Sequence, residues 1–115
     1  MTFESEGFTA NVKNVMAQLE TQGYKTTTLW SNFKSGVAYK GINSAVTTAE
    51  GDLFELQFHT PESFEMKQDI NHSLYEQARV LEDDDSVKLQ LDKQMISNSA
   101  TVELPPGVQS IKLKR

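Results

Sequence analysis

Tyr39-Lys40-Gly41-Ile42-Asn43-Ser44-Ala45-Val46-Thr47-Thr48-Ala49-Glu50-Gly51-Asp52-Leu53-Phe54-Glu55-Leu56-Gln57-Phe58-His59-Thr60 is the stretch that decides the fold. It reads as a β-hairpin with one arm from Gly41 to Thr48 and the other from Leu53 to His59. The polar turn Ala49-Glu50-Gly51-Asp52 carries a glycine free to take positive φ. The second arm alternates: Phe54, Leu56 and Phe58 share one face, and Glu55, Gln57 and His59 the other. The apolar face predicts burial of all three side chains. The opposite strip sets a carboxylate, an amide and an imidazole in line, which makes it the first candidate site. A half-exposed antiparallel strand has the same alternation, so the pattern alone leaves both readings open.

Upstream, Phe8, Val12, Val15, Met16 and Leu19 recur at helical spacing, which predicts a helix from Gly7 to about Gln22 stopped by Gly23. Tyr24 to Ser31 is rich in strand formers, and Asn32 to Gly36 reads as a loop containing Lys34. Three consecutive strands then predict an antiparallel meander, with any fourth strand supplied by the N-terminus or the tail. Downstream, Thr60 suits an N-cap and Pro61 a first helical residue. The helix they open carries a stripe of Phe64, Ile70 or Asn71, Leu74 and Ala78 and ends by Leu81. Asp69-Ile70-Asn71-His72 forms helix weakly and predicts a kink or break. The acidic run Glu82 to Asp85 lacks the glycine and spacing of a calcium loop and reads as a solvated helix start. Val87, Leu91 and Met95 predict a helix from about Asp85 to Ser97, with a strand possible from Val87, Leu89 and Leu91. Leu104-Pro105-Pro106-Gly107 is a rigid turn, and Val108 to Arg115 reads as an edge strand or a docked tail.

At 115 residues the chain is one domain, 1–115, with a core of about 8–81 and a C-terminal helix and tail over 82–115. The expected class is α+β: an antiparallel or mixed sheet of three to five strands with helices packed on one face. The net charge of −5 disfavours general nucleic-acid binding, which needs a basic field, yet permits a small anion held by a few local cations. With no cysteine there is no disulfide, thiolate metal site or thiol nucleophile. No apolar run is long enough to span a bilayer, and the polar, acidic N-terminus is unlike a signal peptide.

Tyr39-Lys40-Gly41-Ile42-Asn43, the strand Phe54-Glu55-Leu56-Gln57-Phe58-His59-Thr60, and His72 with Tyr75 on the following helix together resemble the RelA/SpoT-like family. These alarmone synthetases move pyrophosphate from ATP onto a guanine nucleotide. Their pattern is a Tyr-basic-Ser/Gly-aliphatic-His segment, then a Glu-x-Gln strand ending in a polar residue and Thr, then a downstream His. Here Asn43 stands where the family has His, and His59 where it often has Arg. The variant looks most like the divergent domains of phage and toxin-type proteins. The resemblance covers Phe8 to Arg79 and implies the nucleotidyltransferase-like core of that family.

The resemblance also implies roles. Tyr39 matches the tyrosine that stacks on guanine. Glu55 matches the glutamate that acts on the 3′-hydroxyl and the metal, with Mg2+ implied if the chain is catalytic and no cofactor otherwise. Gln57 would hold Glu55 or the ligand, while Lys40 and a protonated His59 would contact phosphate. Asn43 and His72 complete the nucleotide-binding set, with Lys40 or Lys34 at the rim. The expectation is one concave surface lined by Tyr39, Glu55, Gln57 and His59, with Gly41 leaving room for ligand beside the strand. Each residue also has a plainer reading: strand aromatic, surface carboxylate, surface amide, helix cap, exposed lysine.

The family's upstream strand, with its metal-binding Asp and basic residues for ATP, has no counterpart in Met1 to Gly7, whose only acids are Glu4 and Glu6. The sequence therefore keeps the guanine-nucleotide (acceptor) half of the site and reads as an N-terminally incomplete piece of a larger or toxin-associated protein. The alternative is a non-catalytic binding or interaction domain on the same scaffold. The implied location is the cytoplasm, reached by delivery into a target cell if the protein is toxin-associated.

Overall fold

The structure, a computed structural model, describes residues 1–114. Its elements are α1 (Phe8–Thr21), β1 (Lys25–Ser31), β2 (Ile42–Thr47), β3 (Leu53–Phe58), α2 (Pro61–Glu65), a π-helical turn (Met66–Ile70), α3 (His72–Ala78) and α4 (Ser86–Ser99). The fold is α+β. The strands form one antiparallel sheet in the order β1-β2-β3. Gly51 sits in the hairpin turn at φ 91°, the left-handed conformation the turn requires.

The register assigns the faces. Ile42 pairs with Phe58, Ser44 with Leu56 and Val46 with Phe54. These pairs face α1, whose buried residues are Phe8 and Val12. Phe8, Val12, Leu29, Phe33, Ile42 and Phe58 form the core together with Val108 and Ile111 of the tail. The expectation that Phe54, Leu56 and Phe58 are all buried holds only at one end. Phe58 is fully buried, Leu56 is half-buried, and Phe54 is 37% exposed. The reason lies in the sheet order: β3 is an edge strand and Phe54 lies at its turn end, whereas Val46, its partner on the central strand, is fully buried. Phe54 keeps only an edge-to-face contact with Tyr24, 6.2 Å between centroids.

Both termini extend the sheet by a single bridge. Thr2 pairs parallel with His59, and Lys114 antiparallel with Leu29. Phe3 stacks on Phe58 at 6.3 Å. The tail is thus docked, with Val108 and Ile111 as its anchors; the Arg115 end of the expected basic tail lies outside the described residues.

The expected helix over residues 61–80 is present but broken where the sequence was weakest. Thr60 caps it reciprocally with Ser63. The π turn then closes with Asn71 N–H donating to Met66 C=O at 2.8 Å, an i to i+5 bond. That bond shifts the buried stripe: Met66, Asn71 and Ala78 turn inward, while Phe64 and Ile70 are 44% exposed. α4 begins at Asp85, whose carboxylate accepts from Val87 N–H at 2.8 Å. The acidic run is a helix start, as its composition suggested. No helix among the described residues is long and apolar enough to cross a membrane.

Candidate functional site

Gly41 lies at the start of β2, level with His59 at the end of β3. A Cβ on Gly41 would fall 2.7 Å from Tyr39 Oη and 3.0 Å from His59 Cε1. The space beside the strand, expected to admit a ligand, is filled by the Tyr39 ring folding back over it. Tyr39 Oη and His59 Nε2 are 3.2 Å apart, and His59 Nδ1 is 3.2 Å from Ser63 Oγ. Ser63 Oγ donates to Thr60 C=O at 3.2 Å and accepts from Thr60 N–H at 2.9 Å. A neutral imidazole serves both contacts, donating at one ring nitrogen and accepting at the other.

The electrostatics agree. Burial pushes the His59 imidazole down to about 4, helped by the positive charges of Lys67 and the N-terminus. Burial pushes the Tyr39 phenol up to about 12. His59 is 3% exposed and uncharged at neutral pH. It is a structural pin between β3, α2 and Tyr39, and not the protonated phosphate contact expected of it.

An open cleft lies on the other side of Tyr39. A cleft of about 430 Å³ is lined by Ala38, Tyr39, Lys67, Gln68, Asn71, His72, Tyr75 and Met95. Its floor is set by the π turn. Asn71 Nδ2 lies 3.2 Å from Ala38 C=O, 3.2 Å from Met95 C=O and 3.1 Å from Ser99 Oγ. Asn98 Nδ2 donates to Asn71 Oδ1 at 3.0 Å, and Ser99 Oγ to Ala38 C=O at 2.6 Å. One buried amide thereby ties the Tyr39 loop, α3 and α4 into a rigid wall. Lys67 reaches across the mouth. Its Nζ donates to Gln57 Oε1 at 3.1 Å and stands 5.4 Å above the Tyr39 ring.

The sequence-predicted residues are thus distributed unevenly. Tyr39 and His72 line the cleft, and Gln57 joins it through Lys67. Asn43 stands beside Tyr39, its Oδ1 3.5 Å from Oη. Lys40 is 6% exposed and does not line the cleft, so it is not the open cation expected; Lys34 is exposed. Glu55 is exposed two residues along β3 from Gln57, on the open face of the sheet. No three His, Asp or Glu side chains among the described residues gather to hold a metal ion. Glu55 as the sole protein carboxylate fits Mg2+ only with phosphate oxygens of a bound nucleotide completing the shell.

Lys67 has no place in the sequence reading; Asn71 enters it only through the helical stripe and the weak run 69–72, and Tyr75 without a role. The available signal was the weak helix formers at 69–72, since a π turn is a common device at functional sites.

No family model matches the chain, and no curated protein matches it. Among solved structures it is similar to a chain in the crystal structure of the complex between the Type VI effector Tas1 and its immunity protein, with a TM-score of 0.58 and 19% identity. The match covers 86% of this chain and 61% of that one, so this chain spans less than two thirds of its length. At this identity, what the likeness shows is a shared fold.

Proposed function

We propose that the chain is a purine-nucleotide-binding domain with RelA/SpoT-like chemistry, keeping the acceptor half of a pyrophosphotransferase site. The observation that carries the reading is the cleft between Tyr39 and Tyr75, with Lys67 at its mouth. A flat base fits an apolar slot walled by two phenol rings, and such pockets are typically about 300–1,000 Å³. A purine stacking on Tyr39 takes the place of the Lys67 ammonium, which swings to the phosphates. His72 and Gln68 supply polar contacts at the rim.

In this reading Glu55 takes the proton of the acceptor hydroxyl, and Gln57 orients it or the ribose. Mg2+ held by Glu55 and the phosphates would neutralise charge at the transferring group. The acidic chain makes binding weak. The effector–immunity complex of the structural neighbour supports a toxin-associated setting, delivery into a target cell and a protein partner.

A second reading, a non-catalytic interaction domain on the same scaffold, is favoured by the apolar surface of the α3–α4 region. There Val80, Val87 and Leu89 are 76%, 53% and 51% exposed.

The test is a nuclear magnetic resonance titration with GDP, GTP and ATP, followed at Tyr39, Lys67, Asn71 and Tyr75. Saturable shifts that weaken in Tyr75→Ala support the cleft. Product analysis with ATP and GDP, wild type against Glu55→Gln, then separates transfer from binding. Absence of shifts at millimolar nucleotide overturns the reading and leaves the interaction domain.

A further inference from the structure

The lysines of the C-terminal tail and an irregularity in β1 meet at a second cleft, which shares no residue with the first. It holds about 310 Å³ between α1 and the tail, over β1. Met16 and Glu20, one turn apart on α1, form one wall. Lys112, Leu113 and Lys114 form the other, held to β1 by two backbone hydrogen bonds between Lys114 and Leu29, at 2.6 and 2.8 Å. Thr26 and Leu29 make the floor.

Thr26 reaches that floor only because β1 is irregular. In an unbroken strand residues 26 and 29 lie on opposite faces. Here the register shifts between Thr26 and Thr28, and Thr27 turns outward, its hydroxyl donating to Ala45 C=O at 3.1 Å. Thr26 and Leu29 are therefore both interior, 4% and 6% exposed. Bulges of this kind re-aim side chains and are over-represented beside active sites. The Thr26 hydroxyl has no hydrogen-bond partner among the described residues. For packing alone, valine would fill the same space without leaving a hydroxyl unpaired. One rotamer step about χ1 exchanges the Thr26 methyl and hydroxyl, which presents the O–H to an occupant of the cleft.

The rim sets the sign of that occupant. Two ammoniums stand at the mouth with one carboxylate, Glu20, and all three are exposed and without an ion pair among the described residues. A monoanion balances this set, whereas a phosphate dianion exceeds it. Met16, Leu29 and Leu113 call for an apolar body. The volume lies at the lower end of the roughly 300–1,000 Å³ usual for small-ligand sites, which suits one ring or a short chain and not a nucleotide.

We infer that this cleft binds a small hydroxylated monocarboxylate. Its apolar body lies over Leu29, its carboxylate between Lys112 and Lys114, and its hydroxyl bonds Thr26. The tail supplies both ammoniums and is bridged to β1 through Lys114, so an occupant ties the tail to α1. The site is separate from the Tyr39–Tyr75 cleft and stands or falls without it.

The experiment titrates the intact chain with 4-hydroxyphenylacetate, phenylacetate, tyramine and inorganic phosphate, following the methyl resonances of Met16, Thr26, Leu29 and Leu113. Saturable shifts are expected with both acids, several-fold tighter for the hydroxylated one, because a site built to hydrogen-bond a hydroxyl disfavours the analogue lacking it. Tyramine, which carries an ammonium in place of the carboxylate, and phosphate should give none. Thr26→Val should bring the two acids to equal affinity, and Lys112→Gln combined with Lys114→Gln should weaken both several-fold. Exchange of the Lys114 amide should slow when the hydroxylated acid is bound. No saturable shift with either acid overturns the site. Equal affinity of the two acids for the unaltered protein also overturns it, since the Thr26 hydroxyl is then unused. Tyramine shifts as strong as those of the acids overturn it too, because the lysines then select nothing.

Discussion

His59 and Tyr39 meet edge to face, 5.5 Å between ring centroids, with Tyr39 Oη 3.2 Å from His59 Nε2 across the backbone of Gly41. The contact joins the end of β3 to the loop that walls the cleft. Neither ring can move without disturbing the other.

Gly41→Ala is therefore expected to be costly although its backbone needs no positive φ. The added methyl falls 2.7 Å from Tyr39 Oη, and the phenol is held by His59 on one side and by the cleft wall on the other. Overpacking of this kind costs typically about 1–3 kcal/mol. Denaturant melts should show that loss, and the Tyr39 ring resonances should move. Melts that superimpose on wild type would show that the ring is free to swing away.

Acid should weaken the fold through His59. Its folded value of about 4 lies below the usual 6.5, so the charged form is favoured in the unfolded chain. The contribution is fully present above pH ~6.5 and is lost progressively as pH falls from there to about 4. Each pH unit between the folded and unfolded values is worth about 1.4 kcal/mol, which puts the total on the order of 3 kcal/mol. Melts across that window, wild type against His59→Gln, should show a slope in wild type that the variant lacks.

The meander and hairpin were legible because alternation and turn residues are local signals. Gly51, Thr60 and Asp85 each did what their chemistry suggested. The site was legible only in part. Period two correctly put Glu55 and Gln57 on one face, but it says nothing of where cover ends. At His59 the strand passes between the N-terminal bridge and α2, so the outward side of the strand becomes interior there. The helical repeat leaves Ile70 and Asn71 as alternatives, and the π-helical turn decides between them, carrying Asn71 inward and leaving Ile70 exposed.

Two phenylalanines that look equivalent in sequence are separated in the same way. Phe58→Ala removes a fully buried ring stacked on Phe3 and should cost about 3–5 kcal/mol. Phe54, 37% exposed and touching Tyr24 at its edge, should cost far less, on the order of 1 kcal/mol. Equal losses in urea would mean that both ends of β3 are buried alike.

Asn71 is expected to be the most sensitive polar residue. Its Oδ1 accepts from Asn98, and its two N–H hydrogens are shared among three acceptors on the Tyr39 loop and α4. Asn71→Leu keeps the branched outline and removes the contacts to Ala38, Met95, Asn98 and Ser99. Each lost hydrogen bond is worth about 0.5–1.5 kcal/mol. Hydrogen exchange should then speed up across α4 before it does so in the sheet. Uniform acceleration would show that the amide stabilises the whole domain and not this wall.

Lys67→Met tests whether the ammonium stands where the cleft needs it. The positive charge of Lys67 is the second cause, after burial, of the low His59 value, and both act in the same direction. Removing the charge while keeping an unbranched side chain should raise the His59 value part of the way from about 4 towards 6.5, with burial still holding it low. The Tyr39 ring loses the cation 5.4 Å above it, and Gln57 Oε1 loses its donor at 3.1 Å. Following the His59 ring protons against pH in the two proteins reads the change directly. If the two titrations coincide, Lys67 does not stand over Tyr39 in solution, and the cleft has lost the cation on which its claim to a phosphate depends.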